Sequence, residues 1–278
     1  KDAAGTNDVA LGHTGGAGIA LGGLVARLTR SKKHPSKSTE DIKFPAGLGF
    51  LRDTTVIIAL SMAVIYVVVA LFAGSSYIES ELSDGQNFIV FSILQAATFS
   101  AGVFVILAGV RVVLGEIVPA FKGISEKLVK NSKPALDVPM IFTFAPNAVL
   151  IGFISSFVGG VVGMGIMALA GSTIIIPGIV AHFMTGGATG VIGNGQGGVR
   201  GAVIGSFVNG LAITFLPAMA LPVLGQLGFQ NTTFGDADFA VVALVLGHAF
   251  EWIGMAGIYG IVAIAALVLI IPNFIKTK

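Results

Sequence analysis

Long uncharged stretches separated by short polar segments run along the chain, and this pattern predicts helices that cross a membrane. Residues 54–74 provide 21 positions without a charge, enough for a helix to span a hydrocarbon core of about 30 Å. Residues 87–110 form a second uncharged stretch, and no Asp, Glu, Lys or Arg occurs from 138 to 199. We predict a final apolar helix over residues 252–271.

The uncharged run after Asp137 is too rich in Pro and Gly to form ordinary continuous helices. The prolines that interrupt the hydropathy after Asp137 include Pro146, Pro177, Pro217 and Pro222. Residues 186–205 contain nine glycines, and breaks of this kind point to the binding region of a transporter. Small residues also let helices pack closely, which we expect for most of these glycines. For the polar residues Asn194, Gln196 and Arg200 both interpretations stay open.

The composition is that of a membrane protein. Hydrophobic residues make up 54% of the chain and charged residues 11%, with a mean hydropathy of +0.92, whereas soluble domains carry about 25% charged residues. The absence of Cys excludes a disulfide, a thiolate nucleophile and a Cys-ligated metal. The chain begins at Lys1 without an early apolar segment, so we expect it to be part of a longer polypeptide.

The charged residues are clustered, and their positions predict the orientation in the membrane. Seven of the 16 Lys and Arg lie in residues 27–52, which the positive-inside rule places in the cytoplasm together with the basic C-terminal tail. Residues 75–86 carry three acids and no base, so they are predicted to face outside. Residues 111–130 have apolar side chains at helical spacing, which predicts an amphipathic helix on the cytoplasmic interface, with a gating arm between two domains as the alternative.

The four histidines show no spacing typical of metal ligands. They are His13, His34, His182 and His248. The basic loop is predicted to be solvated, and His34 within it. His182 and His248 fall in apolar runs and are predicted to be core residues with a hydrogen-bond partner.

His13 and Asp137 differ from the other polar residues because both stand where an apolar run is interrupted. His13 lies beside Thr14 in the turn-prone segment LGHTGGAG, and its imidazole can donate or accept a hydrogen bond. Asp137 stands at the edge of the long uncharged run, where a carboxylate is costly unless it is paired, hydrated or functional. A donor and an acceptor at two broken-helix positions suit a polyhydroxylated ligand better than an ion.

Four segments carry a family resemblance: DIKFPAGLGFLRD, GVRVVLGEIVPAFKGISEKLV, ALDVPMIFTFAPNAVLIGF and MTGGATGVIGNGQGGVRGA. Together they resemble the ascorbate-specific IIC permease family of the bacterial phosphoenolpyruvate-dependent phosphotransferase system. The resemblance runs from Asp8 to about Phe274 and corresponds to the C-terminal portion of the family's chain.

The resemblance implies an all-α integral membrane protein, a multi-span helical bundle with re-entrant hairpins and broken helices, part of an inverted-repeat, elevator-type carrier. It implies a homodimer in the bacterial inner membrane that transports L-ascorbate or a related acidic or polyhydroxy sugar. Cytoplasmic IIB and IIA components would phosphorylate the sugar. The chain itself is therefore predicted to be a permease without enzymatic activity and without a cofactor.

Hydropathy and resemblance together divide the chain into five parts. Residues 1–26 are the polar, Gly-rich end of a core-domain segment, and residues 27–52 are the cytoplasmic basic loop. Residues 53–136 provide two spanning helices and the interfacial helix, and residues 137–250 provide the hairpins and broken helices of the substrate-carrying core. Residues 251–278 form the final spanning helix and the cytoplasmic tail.

By position, the resemblance implies substrate contacts at His13, Thr14 and Asp137 and no catalytic or metal-binding residue. The better-known family members carry Gln at the position of Thr14, so the identity of the substrate stays open. The structural alternative for Asp137 is an N-cap of the following helix, which does not exclude ligand binding. Asp236 and Asp238 are predicted to lie in a loop before the final helix, and Glu251 at the start of that helix.

Other functions are open at this point. An ion-coupled secondary transporter of a small polar solute would need no phosphorylating partner, and its ion site would draw on Asp137, Glu116 and Glu251. An intramembrane enzyme would need a Ser/His or paired-carboxylate arrangement, which is not visible. A purely structural subunit would not need the polar residues His13 and Asp137.

Overall fold

Helices make up nearly all of the computed structural model, which describes residues 10–31, 33–42, 54–128, 133, 135–226, 228–230 and 232–274. The α-helices are α1 (Gly16–Leu28), α2 (Thr54–Ala73), α3 (Ser75–Tyr77), α4 (Phe88–Lys127), α5 (Val138–Phe142), α6 (Pro146–Leu169), α7 (Ile179–Ala181), α8 (Gly187–Gln226), α9 (Ala237–Ile253) and α10 (Met255–Phe274). The other elements are a 3-10 turn (Thr39–Asp41), two π-helical turns (Ile78–Leu82 and His182–Gly186) and two short strands, β1 (Ala10–Leu11) and β2 (Ala135–Leu136). The predicted all-α class is confirmed.

Three of the described helical segments are long and apolar enough to cross a membrane: α4, α6 and the continuous stretch Ile179–Gln226. A fourth span results if α2 and the helical turns after it, which are bent by 101°, count as one. α2 and the first half of α4 coincide with the predicted uncharged stretches. Composition and helix length together indicate an integral membrane protein.

α2 and α4 pack side by side in opposite directions. The hydroxyl of Ser100 in α4 donates to the carbonyl of Thr55 at the start of α2, at 2.7 Å. α4 then continues through Pro119 to Lys127 without a break. The helix predicted over residues 111–130 is confirmed for its described part, which continues α4 because a change to amphipathic character does not by itself interrupt a helix. Its place on the membrane interface stays a prediction.

The stretch Ile179–Gln226 is a helical hairpin. Gly197 (φ −146°) and Gly198 (φ 64°) leave helical geometry, and the left-handed φ of Gly198 is one that glycine adopts without strain. A Cβ on Gly193 would lie 2.5 Å from the carbonyl oxygen of Gly201, although eight residues of straight helix span about 12 Å. The chain therefore turns back at Gly197 and Gly198, and the predicted break in this Gly-rich segment is confirmed.

α1 and α6 pack against the hairpin through glycines. A Cβ on Gly22 of α1 would lie 2.6 Å from the carbonyl oxygen of Gly205, and a Cβ on Gly152 of α6 would lie 2.7 Å from the Cα of Gly190. Real side chains at these positions would force the backbones apart. Most glycines of the hairpin thus serve close helix packing, as predicted.

An aromatic cluster joins the hairpin to α4, α5 and α6. The ring of Phe183, in the first arm of the hairpin, meets Phe99, Phe142 and Phe153 edge-on, with ring centroids 5.4–5.5 Å apart. Phe183 and Phe153 are both 1% exposed. The buried core therefore lies around the first arm of the hairpin.

The loop between α1 and α2 is partly buried, so the prediction of a solvated loop is wrong for its centre. Thr39 is fully buried, and its N–H donates to Oδ1 of Asn194 in the hairpin at 2.8 Å. The carboxylate of Glu40 accepts the N–H of Ala148 at 3.1 Å in the first turn of α6. These side chains hold the tip of the hairpin to the start of α6.

The predicted polar trio of the hairpin separates into different environments. Asn194 has the packing role just described, Gln196 is half-buried, and Arg200 is exposed. A functional role for Gln196 and Arg200 stays a prediction. Residues 43–53, 129–132 and 275–278, which include part of the basic loop, the end of the amphipathic segment and the C-terminal tail, lie outside the described residues.

The predicted final helix over residues 252–271 corresponds to α10, and a separate apolar helix, α9, precedes it. α9 begins after Asp236 and ends at Ile253, and α10 begins at Met255. Gly254, with φ 65°, separates them. The boundary at residue 252 is wrong, because Trp252 belongs to the last turn of α9, and Asp238 lies in the first turn of α9 instead of a loop.

Candidate functional site

The predicted substrate residues lie where two strand ends meet. β1 and β2 pair in parallel, and the N–H of Gly12 extends the ladder to the carbonyl of Leu136 at 2.8 Å. Parallel strands leave the ladder at the same edge. His13 and Thr14, which precede α1, therefore lie beside Asp137, which precedes α5.

His13 and Asp137 are in direct contact. Nδ1 of the imidazole lies 2.9 Å from Oδ1 of the carboxylate, and Nδ1 carries the proton of this bond because an ionised carboxylate only accepts. The same Oδ1 accepts the N–H of Val138 at 2.8 Å, so Asp137 is also the N-cap of α5. The Asp137 side chain is 67% exposed, and its Oδ2 has no hydrogen-bond partner among the described residues. This oxygen is open to a ligand.

The second ring nitrogen of His13 is buried and has no hydrogen-bond partner within the described part of the chain. Oδ1 of Asp236 faces it at 3.8 Å, which is beyond hydrogen-bond distance. A buried polar atom without a partner costs about 1–3 kcal/mol. A ligand group that donates a hydrogen bond to this nitrogen would remove this cost.

Asp236 is the residue of this site that sequence reasoning missed. It occupies the N-cap position of α9, and its Oδ2 accepts the hydroxyl proton of Thr14 at 2.5 Å. Thr14 and Asp236 are 222 positions apart in sequence. The signal that could have found Asp236 is a carboxylate directly before an apolar helix, which is typical of a helix start.

Asp238 joins α9 to α1 next to the same site. Its carboxylate accepts the backbone N–H groups of Gly16 and Ala17, which are among the free donors at the start of α1. The N–H of Asp238 in turn donates to the carbonyl of Thr14 at 3.1 Å. The first turn of α9 therefore fixes the His13–Thr14 segment from one side, while Asp137 contacts it from the other.

The site offers mainly acceptors to a ligand. Asp137 and Asp236 flank His13, and no Lys or Arg forms an ion pair with either carboxylate within the described ranges. Three or more His, Cys, Asp or Glu side chains with a geometry suited to a metal ion do not occur in the part of the chain that the structure describes. An acceptor-rich surface with one imidazole suits the hydroxyl groups of a small polyhydroxylated molecule.

The other histidines lie apart from this group. His182 is 1% exposed and hydrogen-bonded to the hydroxyl of Ser156 at 2.9 Å, which confirms the predicted core histidine. His248 is half-exposed, pairs with Glu251 at 2.9 Å and stacks on Trp252, so its predicted core position is wrong. His34 is exposed, as predicted.

Comparison with known proteins gives a family. The model of the family described as "PTS system sugar-specific permease component" (EIIC-GAT) matches residues 1–238. The chain belongs to this family. The match includes His13, Thr14, Asp137 and both carboxylates at the start of α9, and it agrees with the family resemblance found in the sequence.

A curated relative of this permease family is the ascorbate-specific PTS system EIIC component of Mycoplasma pneumoniae (strain ATCC 29342 / M129 / Subtype 1). It is 29% identical over 256 residues, which cover 82% of this chain and 38% of the relative. The chain thus spans well under half the length of that protein. Membership relates the chain to the sugar-specific permease components of phosphotransferase systems.

Proposed function

We propose that the chain is the sugar-translocating part of a IIC permease that carries L-ascorbate or a related acidic or polyhydroxy sugar. A separate IIB component phosphorylates the sugar on the cytoplasmic side, after IIA has phosphorylated IIB. The observation that carries this proposal is the contact between His13 and Asp137 at the paired strand ends. The name of the Mycoplasma relative supports ascorbate as the first candidate.

In this proposal the ligand binds through hydroxyl groups. The exposed Oδ2 of Asp137 accepts from one hydroxyl, and His13 holds the carboxylate in position through its Nδ1. Thr14 donates its own proton to Asp236 and so presents only lone pairs to the ligand. His13, Thr14 and Asp137 are the substrate-binding residues that we propose.

The site moves, we propose, together with the hairpin in an elevator-type transition. Side-chain hydrogen bonds tie α1 to α9 and the loop at Thr39–Asp41 to both the hairpin and α6. The contact of this unit with the α2–α4 pair includes the apolar edge contact between Phe99 and Phe183. Apolar surfaces slide more readily than hydrogen-bonded ones, because no polar group loses its partner.

A reversible cross-link tests this movement. This stretch has no Cys of its own, and Phe99→Cys with Phe183→Cys introduces a pair at a position where the two rings are 5.5 Å apart. We expect oxidation of the full-length double variant to stop transport and reduction to restore it. The two single variants are the controls, and unimpaired transport by the oxidised pair would argue against relative movement at this contact.

The orientation is proposed from the charge distribution. The 27–52 loop and the C-terminal tail face the cytoplasm, where IIB docks, and residues 75–86 face outside. An impermeant thiol reagent added to intact cells should label Ser80→Cys and leave Lys33→Cys unlabelled; both positions are exposed. Labelling of Lys33→Cys from outside would reverse the orientation.

The product inside the cell separates this function from its alternative. Membrane vesicles containing the full-length permease should accumulate phosphorylated sugar when IIA, IIB and a phosphoryl donor are enclosed, and none when IIB is omitted. Unmodified solute that accumulates with an ion gradient would favour an ion-coupled transporter. The acids that could bind a coupling ion in such a transporter lie apart. Glu251 pairs with His248 near the C-terminal end of α9, whereas Asp236 precedes its N-terminal end.

A further inference from the structure

Asp236 stands between the two residues that precede α1. One of its oxygens accepts the hydroxyl proton of Thr14, and the other faces the buried Nε2 of His13 at 3.8 Å. Its side chain is 25% exposed, so its charge acts in a partly dehydrated space, where an interaction between charges is stronger than in bulk water. A ligand that binds beside His13 and Asp137 lies within reach of this charge.

We propose that Asp236 is a specificity-determining residue of the site, whose carboxylate lowers the affinity for anionic sugars and favours uncharged polyhydroxylated ones. The inference rests on the proposed function and narrows it: among the sugars proposed there, Asp236 disfavours anionic ones such as ascorbate relative to uncharged polyhydroxylated ones.

The charge arrangement is the first argument. Asp137 and Asp236 flank a single imidazole, so even a protonated His13 offsets only one of the two negative charges. The ion pairs of the described residues include no Lys or Arg next to either carboxylate. An anion therefore enters a site whose nearby charges repel it, whereas a neutral hydroxyl meets acceptors.

The neighbouring Asp238 provides the contrast. Both of its oxygens accept backbone N–H groups at the start of α1, where the positive end of the helix dipole offsets a carboxylate charge. Asp236 also lies at an N-terminus, that of α9, but its side chain accepts no backbone N–H there and receives only the neutral hydroxyl of Thr14. Of these two carboxylates, Asp236 is thus the one whose charge acts on a ligand.

Two probes isolate the effect of charge on binding. L-ascorbate is an anion at neutral pH because its enediol is acidic, whereas L-gulono-1,4-lactone keeps a five-membered lactone and hydroxyl groups without a charge. The measurement is the affinity of the purified full-length permease for each probe by calorimetry at low salt. The quantity compared between variants is the ratio of the ascorbate affinity to the lactone affinity.

Asp236→Asn is the decisive variant, because Asn keeps an acceptor for Thr14 and removes the charge. We expect the ratio to rise about tenfold, since removing one charge near a bound anion changes its free energy by about 1.4 kcal/mol at moderate effective dielectric. Asp236→Glu keeps the charge and should leave the ratio close to that of the wild type. Asp238→Asn is the matched control, with the same chemical change two residues away and an expected shift much smaller than tenfold.

Each outcome decides a different statement. If the wild type binds at least one probe and Asp236→Asn leaves the ratio unchanged, the inference is wrong and the proposed function stands. An equal shift of the ratio in Asp238→Asn would mean that any negative charge near the start of α1 has this effect. That result would also overturn the inference. If the wild type binds neither probe, both the proposed function and the inference fail. Where Asp236→Asn does not fold, Asp236→Ser provides the same loss of charge.

Discussion

His13 and His182 are two histidines of one fold with opposite surroundings. His13 lies at a strand end between two carboxylates, with a side chain that is 17% exposed. His182 lies inside the hairpin, 1% exposed, with the hydroxyl of Ser156 at 2.9 Å and the ring of Phe157 edge-on. The carboxylates beside His13 have access to solvent, whereas the partners of His182 are neutral and sealed.

The difference follows from the cost of burying charge. A neutral hydroxyl or amide can satisfy a buried histidine at little cost, while an ionised carboxylate needs water or a full set of donors. The buried group around His182 also includes Asn209, whose amide N–H₂ lies 3.2 Å from Thr185 and 3.4 Å from Ser156. We interpret the His182 group as a joint that fixes helix packing, and the His13 group as the place for a ligand.

The largest effect on stability is expected when a charge is placed in the buried His182 group. Asn209 is fully buried, so Asn209→Asp either buries an unpaired carboxylate or forces it to take up a proton. We expect a loss of about 3–5 kcal/mol in the free energy of unfolding, visible as a large fall in the thermal midpoint in detergent. A midpoint within experimental error of the wild type would contradict the sealed character of this group.

Removing a charge from the His13 group should affect ligand binding more than stability. Asp137→Asn keeps the N-cap of α5, because Asn is also a good N-cap. It removes a charged acceptor worth about 1.5–3 kcal/mol, so ligand affinity should fall by about one to two orders of magnitude. Paired measurements of affinity and thermal midpoint on the full-length protein provide the check. An unchanged affinity would leave Asp137 with the capping role alone.

Ser156→Ala should produce a smaller effect and only on stability. The variant removes the hydroxyl that bonds His182 and leaves that ring nitrogen buried without its partner. We expect a loss of about 1–2 kcal/mol in the free energy of unfolding and ligand affinity close to that of the wild type. If the variant is fully folded under the assay conditions and still loses much of its ligand affinity, the two histidine groups are coupled.

The smallest effect is expected at Glu40, which is part of neither histidine group. Glu40→Gln keeps an acceptor for the N–H of Ala148 and removes the charge at the start of α6, worth about 0.3–1 kcal/mol. The thermal midpoint should fall slightly and the affinity should not change. This variant tests whether a small loss of stability outside both histidine groups changes ligand affinity. A clear change in affinity would argue against separate roles for the two groups.

The sequence predicted what depends on local pattern. Uncharged length predicted α2 and the first half of α4, and the density of glycines predicted the break at Gly197 and Gly198. The family resemblance and the cost of a lone carboxylate at the edge of an apolar run singled out His13 and Asp137, but their direct hydrogen bond was not predicted.

The features that were missed depend on long-range contacts or on single backbone angles. Asp236 meets Thr14 across 222 positions, which no local periodicity reveals. The exact position of the break between α9 and α10 rests on the positive φ of Gly254, and glycines also occur inside helices of this chain without a break.

The two-residue ladder of β1 and β2 has a consequence for how the family can vary. It sets the register between His13 and Asp137 directly, although 124 positions of chain separate them. Insertions or deletions between the two strands leave the distance across the site unchanged, provided that the ladder keeps its alignment. A slip of one residue in that alignment would turn the side chains to opposite faces. The lengths of the helices in between are thereby free to diverge, while the four residues of the ladder are not.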